Sequence, residues 1–568
     1  MIRVLENEFY YLDNFQRVLD WIAERYADLL DSDEQEFIAR FPALPQAARA
    51  LFVRMVMRKG HLFRASKLSY AEIGCPLEAA QALLPTGWIA LDPVVSLDEV
   101  FDLLSKPEIA QAFVLPPQQR QARKSEQLEA LRADCGEDRA FSNWFAGCQD
   151  TVFAILLKPL CDRLRLLFFG NLSQDWTEFV LSDLGLFRYE QVEFSPASRG
   201  FRSRADIDHY LLLHACKERY YAEEPALDVL QAVRALPPHA FDNDWLNSRS
   251  ERLLFQLGQQ LEKEKDWEQA HGVYAECRFP GARSRAIRVL EKHEKFDQAY
   301  ALFEIASGAP ENEAERQHLL RIGPRLARKL GHPATKSRRA PPPSRLDLNL
   351  PRPGADGRTD WRVEGVVLAH LHTEQAPVFY VENTLANTLF GLLCWPAIFA
   401  AIPGAFFHPF HRGPADLYSA DFQRRRKAEF DACLARLDDG SYRAAMRATW
   451  EQKAGLQSPF VSWDYLGWDL IALALDCIPA AHLKLWCERI LQDVRDNRTG
   501  FPDLIQFRPG ESDPNRRYDM IEVKGPGDRL QDNQLRWVAY CAAHGMPLTV
   551  CYLQWAQQDI LDTQLDAA

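Results

Sequence analysis

Two short stretches near the carboxyl end, GFPDLI at residues 500–505 and YDMIEVKGP at residues 518–526, decide the fold of the last part of this chain. Apolar runs within them predict two β-strands, and the polar run between them, with its Pro and Gly residues, predicts the loop of a hairpin. Because side chains alternate along a strand, Glu522 and Lys524 are predicted to face one side and Val523 the other. Asp503, at the start of the neighbouring strand, can then approach the side that carries Glu522.

Two carboxylates and an ammonium group that converge in this way suit metal-assisted hydrolysis of a phosphodiester. The carboxylates of Asp503 and Glu522 would hold Mg²⁺ or Mn²⁺, and Lys524 would neutralise charge or orient the attacking water. A Glu-x-Lys pair alone is a weak signal, since an exposed hairpin would solvate both acids without a metal. The apolar flanks favour buried strands, in which carboxylates without partners are costly.

Length and composition set limits on the class of protein. With 568 residues the chain is too long for one core, so three or four domains are predicted, and 47% hydrophobic residues indicate a folded, soluble protein. No apolar run is long enough to span a membrane, and the acidic start lacks the features of a signal peptide, so we expect a cytoplasmic location without a membrane partner. The 12 scattered cysteines, without Cys-x-x-Cys pairs, predict reduced thiols rather than zinc ligands. The net charge of −12 does not exclude DNA binding through local basic patches.

Basic residues cluster in the first quarter of the chain, with apolar and aromatic residues among them. Around Leu62 and Phe63 lie Arg54, Arg58, Lys59, Arg64 and Lys67. This mixture is typical of a surface that contacts a DNA backbone, although a solvated helix face explains it equally well. Further on, Arg123 and Lys124 precede an apolar stripe and could reach phosphates from a helix start, or belong to a plain amphipathic helix.

A repeat occupies the middle of the chain. The sequence DWEQAHGVY at 266–274 is echoed by KFDQAYALF at 295–303, and the shared aromatic and Ala spacing is typical of helix pairs resembling tetratricopeptide repeats. With so few copies, we expect a brace between domains rather than a peptide-binding groove. A basic, Pro-rich stretch at 336–345 predicts a linker before the last domain.

Two more residues of the last domain are candidates for the site. Glu382 is predicted to lie at the head of an apolar helix, where an acid either complements the helix dipole or supplies a third carboxylate to a metal. Gln534, on the helix predicted to start at Asp528 after the second strand, could bond to a metal-bound water or a phosphate, or lie on the surface.

The arrangement Asp503…Glu522-Val523-Lys524 resembles the PD-(D/E)xK nuclease core in its VRR-NUC variant. The longer motifs at 500–505 and 521–530, with VENT at 381–384, LFGLL at 389–393 and FGNLSQDW at 169–176, resemble the Fanconi-associated nuclease family and its bacterial members. The resemblance covers nearly the whole chain.

The resemblance implies a multidomain fold that is mostly α-helical in its first two-thirds and ends in an α/β domain like that of restriction endonucleases. The implied domains are a helical domain at 1–60, a SAP-like DNA-binding region at 61–225, helical repeats at 226–331, a linker at 332–360 and the VRR-NUC nuclease domain at 361–568.

The resemblance also implies an activity and a site. The activity is cleavage of branched DNA as a 5′ flap endonuclease and 5′-to-3′ exonuclease in DNA repair, including repair of interstrand crosslinks. Glu382, Asp503, Glu522 and the Val523 carbonyl would bind the metal, and Lys524 would be the catalytic lysine. Asp528 and Arg529 match an Asp-Arg pair of the family and would support the site or contact DNA.

The sequence also leads to expectations about partners, location and alternative functions. The chain has no Cys/His cluster for the ubiquitin-binding zinc finger of animal members, so no ubiquitin partner is expected. A homodimer on DNA is left open, and a location in the bacterial cytosol or nucleoid is expected. Two other hypotheses remain: a non-enzymatic adaptor that uses the repeats and the basic patch, and a restriction-type nuclease, for which no base-reading motif is present.

Overall fold

Helices dominate the residues that the structure describes, which are 7–132, 135–174, 187–236, 243–333, 343–352 and 362–556. The structure is a computed structural model of the chain. It divides into two units. The first comprises Met1–Arg188, Phe194–Ile207 and Phe407–Phe410, and the second comprises Tyr189–Glu193, Asp208–Phe406 and His411–Ala568.

The first unit combines short helices with two small sheets. Its helices are α1 (Tyr10–Tyr26), α2 (Ser32–Arg40), α3 (Gln46–Val56), α4 (Pro76–Ala80), α5 (Leu97–Leu103), α6 (Lys106–Ala112), α7 (Lys124–Leu131), α8 (Phe141–Trp144) and α9 (Lys158–Phe169). Its strands are β1 (Leu62–Arg64), β2 (Ile89–Leu91), β3 (Val94–Val95), β4 (Arg139–Ala140) and β5 (Val152–Ile155). Strand β5 lies between β1 and β2, and β3 pairs with β4, all antiparallel. The longest helix of the unit, α1, buries Phe15, Leu19 and Ile22 at helical spacing, which fixes its inner face.

The middle of the chain forms consecutive helices. They are α10 (Arg204–Tyr221), whose first residues belong to the first unit, α11 (Ala226–Arg234), α12 (Asp244–Glu264), α13 (Trp267–Glu276), α14 (Ala282–Lys292), α15 (Phe296–Gly308) and α16 (Glu313–Leu330). From α11 to α16 each helix packs against the next. The repeated alanines, Ala270 and Ala299, are fully buried, and Gly258 lies so close to the Tyr274 ring that a Cβ there would be 2.7 Å from it. Small residues at these points let the helices approach, as predicted for tetratricopeptide-like pairs.

The last domain is a five-stranded mixed sheet covered by helices. Its strands are β6 (Ser344–Leu350), β7 (Val378–Tyr380), β8 (Leu504–Phe507), β9 (Tyr518–Lys524) and β10 (Leu548–Trp555). Its helices are α17 (Val363–Leu371), α18 (Thr384–Leu393), α19 (Trp395–Ile398), α20 (Phe422–Arg425), α21 (Lys427–Asp439), α22 (Tyr442–Lys453), α23 (Trp468–Cys477), α24 (Ala480–Gln492), α25 (Val494–Asn497) and α26 (Asp532–Ala543). The strand order is β6-β10-β9-β8-β7, with β10 parallel to both neighbours and the other pairs antiparallel. The predicted fold class is confirmed.

One face of this sheet packs against α17. Val367 of that helix lies in a buried cluster with Leu504, Ile521 and Val523. Val523 therefore faces the core while its neighbours Glu522 and Lys524 face the other side, as the alternation predicts.

The helical repeats are tied to the last domain by polar contacts from α16. The buried Arg489 of α24 donates from Nη2 to Glu313 Oε2 at 2.6 Å. Arg536 of α26 donates to Gln317 Oε1 at 3.0 Å, and Arg321 pairs with Asp532. These contacts are the kind that a brace between domains requires.

Three sequence predictions need correction. The linker predicted at 332–360 contains strand β6 at Ser344–Leu350, because β10 offers this segment a free strand edge. The helix predicted from Asp528 begins at Asp532. Glu382 precedes α18 instead of heading it, because Asn383 adopts a left-handed conformation, with φ of 55°.

Some predictions cannot be compared with the structure. Parts of the linker, Trp361 and the motif residues Asp175 and Trp176 lie outside the described residues. The domain boundaries stay predictions.

Within the described part of the chain, no single helix is long and apolar enough to cross a membrane; α23 and α24 pass such a test only as a pair, and they are bent by 111°.

Candidate active site

Asp503, Glu522 and Lys524 come together at the ends of β8 and β9. The antiparallel register pairs Leu504 with Ile521, which brings Asp503 alongside Glu522 and Val523. The Val523 N–H donates to Asp503 Oδ2 at 2.9 Å, and Lys524 Nζ donates to Glu522 Oε1 at 2.6 Å. All three polar side chains are buried. The predicted convergence of two carboxylates and one ammonium group is therefore present.

The segment before Asp503 is fixed by packing that explains the GFPD motif. Gly500 has φ of +82°, and a Cβ there would lie 2.8 Å from the backbone of Asn533, so only glycine fits. The Phe501 ring lies between Trp486 and Trp537, with ring centroids 4.8 and 5.2 Å away in edge-to-face geometry. Asp503 thus sits on a rigid support.

The two buried acids are held in an environment that disfavours their charge. Burial raises the pKa of Glu522 to about 7, with the Asp503 charge adding to the shift and Lys524 opposing it. Burial likewise raises the pKa of Asp503 to about 6, opposed by the Val523 N–H and Lys524 and reinforced by Glu364 and Glu382. Because the negative charges of Asp503 and Glu522 repel each other in a confined space, a bound cation would stabilise their ionised forms.

Glu382 lies at the exposed edge of this group, between β7 and α18. Its Oε2 accepts a hydrogen bond from the Tyr380 hydroxyl, and its Oε1 lies 3.5 Å from Asn383 Nδ2. The negative charge of Glu382 contributes to the raised pKa of both Asp503 and Glu522, because Glu382 lies close enough to repel their charges.

The donor set fits a hard divalent cation by its chemistry. Carboxylate oxygens are the ligands that Mg²⁺ and Mn²⁺ prefer. As the side chains stand, no three His, Cys, Asp or Glu residues in the described ranges converge closely enough to hold a metal. Glu382 is exposed, so its side chain has room to turn towards the buried pair. The roles of Glu382, Asp503, Glu522 and the Val523 carbonyl as ligands stay predictions.

The residues predicted to support the site have distinct positions. Asp528 Oδ2 accepts from the Gly525 N–H at 3.0 Å and so closes the turn after β9. Arg529 is exposed on that turn. Gln534 Oε1 accepts from the Gln531 N–H at 2.8 Å, so its amide caps α26. Among the three, Arg529 is the side chain left available for DNA.

The basic residues of the first unit that are predicted to contact DNA fall into two groups. Arg54 pairs with Glu72, Arg64 pairs with Glu108 and Asp150, Arg58 donates to the Lys67 carbonyl and Lys124 donates to the Leu104 carbonyl. Lys59, Lys67 and Arg123 are exposed, and their side chains make no ion pair with the described residues. The second group has more freedom to contact phosphates, and DNA contact by either group stays a prediction.

Sequence reasoning missed three residues near the site. Glu364, in the first turn of α17, and Tyr380, the last residue of β7, interact electrostatically with Asp503. Asn383 Oδ1 accepts from the Phe501 N–H at 3.0 Å and so links the Glu382 segment to the Asp503 segment. No sequence spacing signals these residues, because each reaches the site through the packing of distant segments.

The fold and the site define a DNA nuclease of the PD-(D/E)xK type. A model of the VRR-NUC domain matches residues 437–555, a model of the FAN1 HTH domain matches 9–90, and a model of the Fanconi anemia-associated nuclease SAP domain matches 94–144.

Similar proteins narrow this class. The Fanconi-associated nuclease 1 homolog of Pseudomonas aeruginosa is 53% identical over 98% of this chain and 97% of its own length. The Oryza sativa homolog is 25% identical and human Fanconi-associated nuclease 1 is 24% identical, over 95% and 96% of this chain; the chain spans 62% of the length of each. The chain belongs to the Fanconi-associated nuclease 1 family, which favours the enzyme over the adaptor hypothesis.

Solved structures agree with the sequence relatives. The crystal structure of paFAN1 bound to 2-nt 5′ flap DNA with a gap has a TM-score of 0.88 and 53% identity, covering 98% of this chain and 100% of the other. The structure of paFAN1 bound to 1-nt 5′ flap DNA with a gap has a TM-score of 0.86 and covers 97% and 100%.

Proposed function

We propose that this protein is a metal-dependent nuclease that cuts branched DNA at 5′ flaps, with Glu382, Asp503, Glu522 and Lys524 as its catalytic group. The observation that carries the proposal is the convergence of Asp503, Glu522 and Lys524 at the end of the sheet, buried and short of positive charge. The substrate class is supported by the flap DNA in the structures of paFAN1.

The site residues have different proposed roles in the reaction. Asp503, Glu522, Glu382 and the Val523 carbonyl would hold Mg²⁺ or Mn²⁺, which when bound polarises the scissile phosphate and lowers the pKa of a nearby water. The Lys524 ammonium, which donates to Glu522 Oε1, would stabilise negative charge on the phosphate or orient the water.

DNA binding would use basic surfaces on both parts of the protein. The helical repeats contain a cavity of about 670 Å³ between α14 and α16. Its basic lining residues are Arg288, Lys292, Arg321, Arg325 and Lys329. Lys292 and Lys329 are exposed and make no ion pair with any described residue, and the Lys329 ammonium lies 5.4 Å from the centre of the Phe296 ring. Both ammonium groups would be able to meet phosphates. In the first unit, Lys59, Lys67 and Arg123 would have the same role.

Finer features of the function rest on the family. We include in the proposal 5′-to-3′ exonuclease action, a part in interstrand-crosslink repair, a location in the bacterial cytosol or nucleoid, and assembly of two copies on DNA. Backbone contacts carry no sequence information, so the branch geometry would select the substrate.

Cleavage of a labelled 5′ flap substrate in Mn²⁺ tests the proposal. Asp503→Asn and Lys524→Ala are each expected to lower the rate by at least about 100-fold, because each removes a charge that acts in the transition state. Asp519→Asn is the matched control, since that half-buried acid lies on β9, the strand of Lys524, but accepts a hydrogen bond from Thr549. Wild-type rates in either active-site variant would remove the site assignment.

A further inference from the structure

We propose that Tyr380 is a positioning residue of the metal site: its hydroxyl bonds to one oxygen of Glu382, limits the directions in which the carboxylate can turn, and leaves the other oxygen to bind the cation. This inference rests on the proposed function and extends it. Tyr380 is the last residue of β7 and pairs with Leu504, the residue after Asp503. The hydroxyl donates to Glu382 Oε2, two residues further along the chain.

Glu382 has more need of a positioning partner than the other acids. Asp503 and Glu522 are buried and are fixed by the Val523 N–H and by Lys524. Glu382 is exposed, and apart from Tyr380 the described residues offer its carboxylate only the Asn383 amide at the long distance of 3.5 Å. A free glutamate side chain loses rotamer entropy when it binds a metal, and a prior hydrogen bond reduces that loss.

The backbone around Glu382 is already fixed, so the side chain is the remaining freedom. Asn383 accepts from the Phe501 N–H, and Asn387 Nδ2 donates to the Asn383 carbonyl and, at 2.9 Å, to the Arg498 carbonyl. These bonds tie the start of α18 to the segment that leads to Asp503. With the main chain held, a bond from one hydroxyl limits the range over which the carboxylate can turn.

The chemistry of the phenol suits this role. A phenol, with an ordinary pKa of about 10, carries its proton at neutral pH and can donate it in a hydrogen bond. A neutral hydroxyl can donate to Glu382 Oε2 without competing for the cation, which leaves Oε1 to bind it. Partners of this kind orient metal ligands and commonly change metal affinity when removed.

The test measures Mn²⁺ binding to the DNA-free protein by calorimetry, alongside the Mn²⁺ dependence of flap cleavage. Tyr380→Phe is expected to weaken Mn²⁺ binding by about tenfold or more, with a rate at saturating Mn²⁺ within about threefold of wild type. Tyr465→Phe is the matched control, because that side chain is 82% exposed and lies outside the site. An affinity for Mn²⁺ unchanged by Tyr380→Phe overturns the inference.

A double-mutant cycle distinguishes positioning from a general structural effect. In a Glu382→Gln background, Tyr380→Phe should cause no further loss of affinity, because its effect passes through Glu382. An equal loss in both backgrounds contradicts the inference. The proposed function fails separately: in that case wild type and Asp503→Asn would bind Mn²⁺ equally well or not at all.

Discussion

At the scale of single residues, Asp503 and Glu522 combine a structural cost with a chemical role. Each is buried beside the other, and the only ammonium group that the described residues bring to the pair is that of Lys524. A carboxyl whose pKa is raised by folding binds protons more tightly in the folded state. Its contribution to stability therefore falls as the pH rises from its unfolded pKa, near 4, through its folded pKa. For these two acids that interval ends at about 6 and about 7.

Removing one of these charges should stabilise the metal-free protein at neutral pH. In EDTA at pH 7.5, Asp503→Asn is expected to raise the melting temperature by about 1–3 °C, because a buried repulsion disappears. At about pH 4 the difference should fall to a small fraction, because Asp503 is then protonated in the folded protein and about half protonated in the unfolded chain. The measurement is thermal unfolding followed by circular dichroism.

Addition of Mn²⁺ supplies the control for this effect. The metal should raise the melting temperature of the wild type at pH 7.5 and have little effect on the variant, because a ligand stabilises only the state that binds it. A lower melting temperature for Asp503→Asn in EDTA would show that the Asp503 charge is not a source of repulsion.

The hairpin residues could be read from the sequence, whereas the position of Glu382 could not. Alternation along a strand places Glu522, Val523 and Lys524 correctly, because strand geometry depends on neighbours two residues apart. The position of Glu382 depends on a left-handed Asn383, which is bonded to Phe501 more than 100 residues away. Local patterns do not contain that information.

At the scale of elements, α16 connects the repeats to the last domain through a buried arginine. The Arg489 guanidinium is fully buried, pairs with Glu313, and lies 4.4 Å from the centre of the Tyr540 ring. Its position joins three helices, α16, α24 and α26, so its loss would leave a cavity and remove the buried one of the two arginines that pair with Glu313.

Arg489→Ala is expected to lower the free energy of unfolding by about 3 kcal/mol, as for other broken buried pairs. Arg316→Ala is the matched control: Arg316 pairs with the same Glu313, but its side chain is 62% exposed, and a change below about 1 kcal/mol is expected. Chemical denaturation followed by tryptophan fluorescence measures both. Equal effects would show that α16 is not held by the buried contact.

The helices of the repeats were more predictable than the edges of the sheet. Trp267, Ala270 and Tyr274 mark their helix by their spacing, since each repeat carries its own packing face. Strand β6 has no such mark, because the alternation of SRLDLNL yields a strand only where β10 is present to pair with it. The neighbouring basic, Pro-rich sequence indicated a linker instead.

At the scale of the whole molecule, a protein with a net charge of −12 must bind an acidic polymer through local patches. We propose that the exposed lysines of the cavity in the repeats, Lys292 and Lys329, form one such patch. Contacts of this type release counterions from DNA, so each contributes to the salt dependence of binding.

The double variant Lys292→Ala, Lys329→Ala is expected to weaken binding to flap DNA and to reduce the slope of log K against log salt by about 2. Fluorescence anisotropy over a range of salt concentrations measures this slope. Lys263→Ala with Lys265→Ala removes the same charge from the end of α12, outside the cavity, and should leave the slope unchanged. Equal slopes for wild type and the cavity variant would exclude the cavity from the DNA contact.

The strand order of the last domain determines when its sheet can be completed during synthesis of the chain. Strand β10 is the last strand along the described chain, yet it lies between β6 and β9 in the sheet. Among the described strands of the sheet, β6 pairs with β10 alone. During synthesis on the ribosome the amino-terminal parts fold first, while β9 waits for one of its two neighbours until β10 has emerged. A nascent chain can therefore fold its helical parts before the sheet that carries Glu522 and Lys524 is complete, and we expect cleavage activity to appear only after β10 has paired.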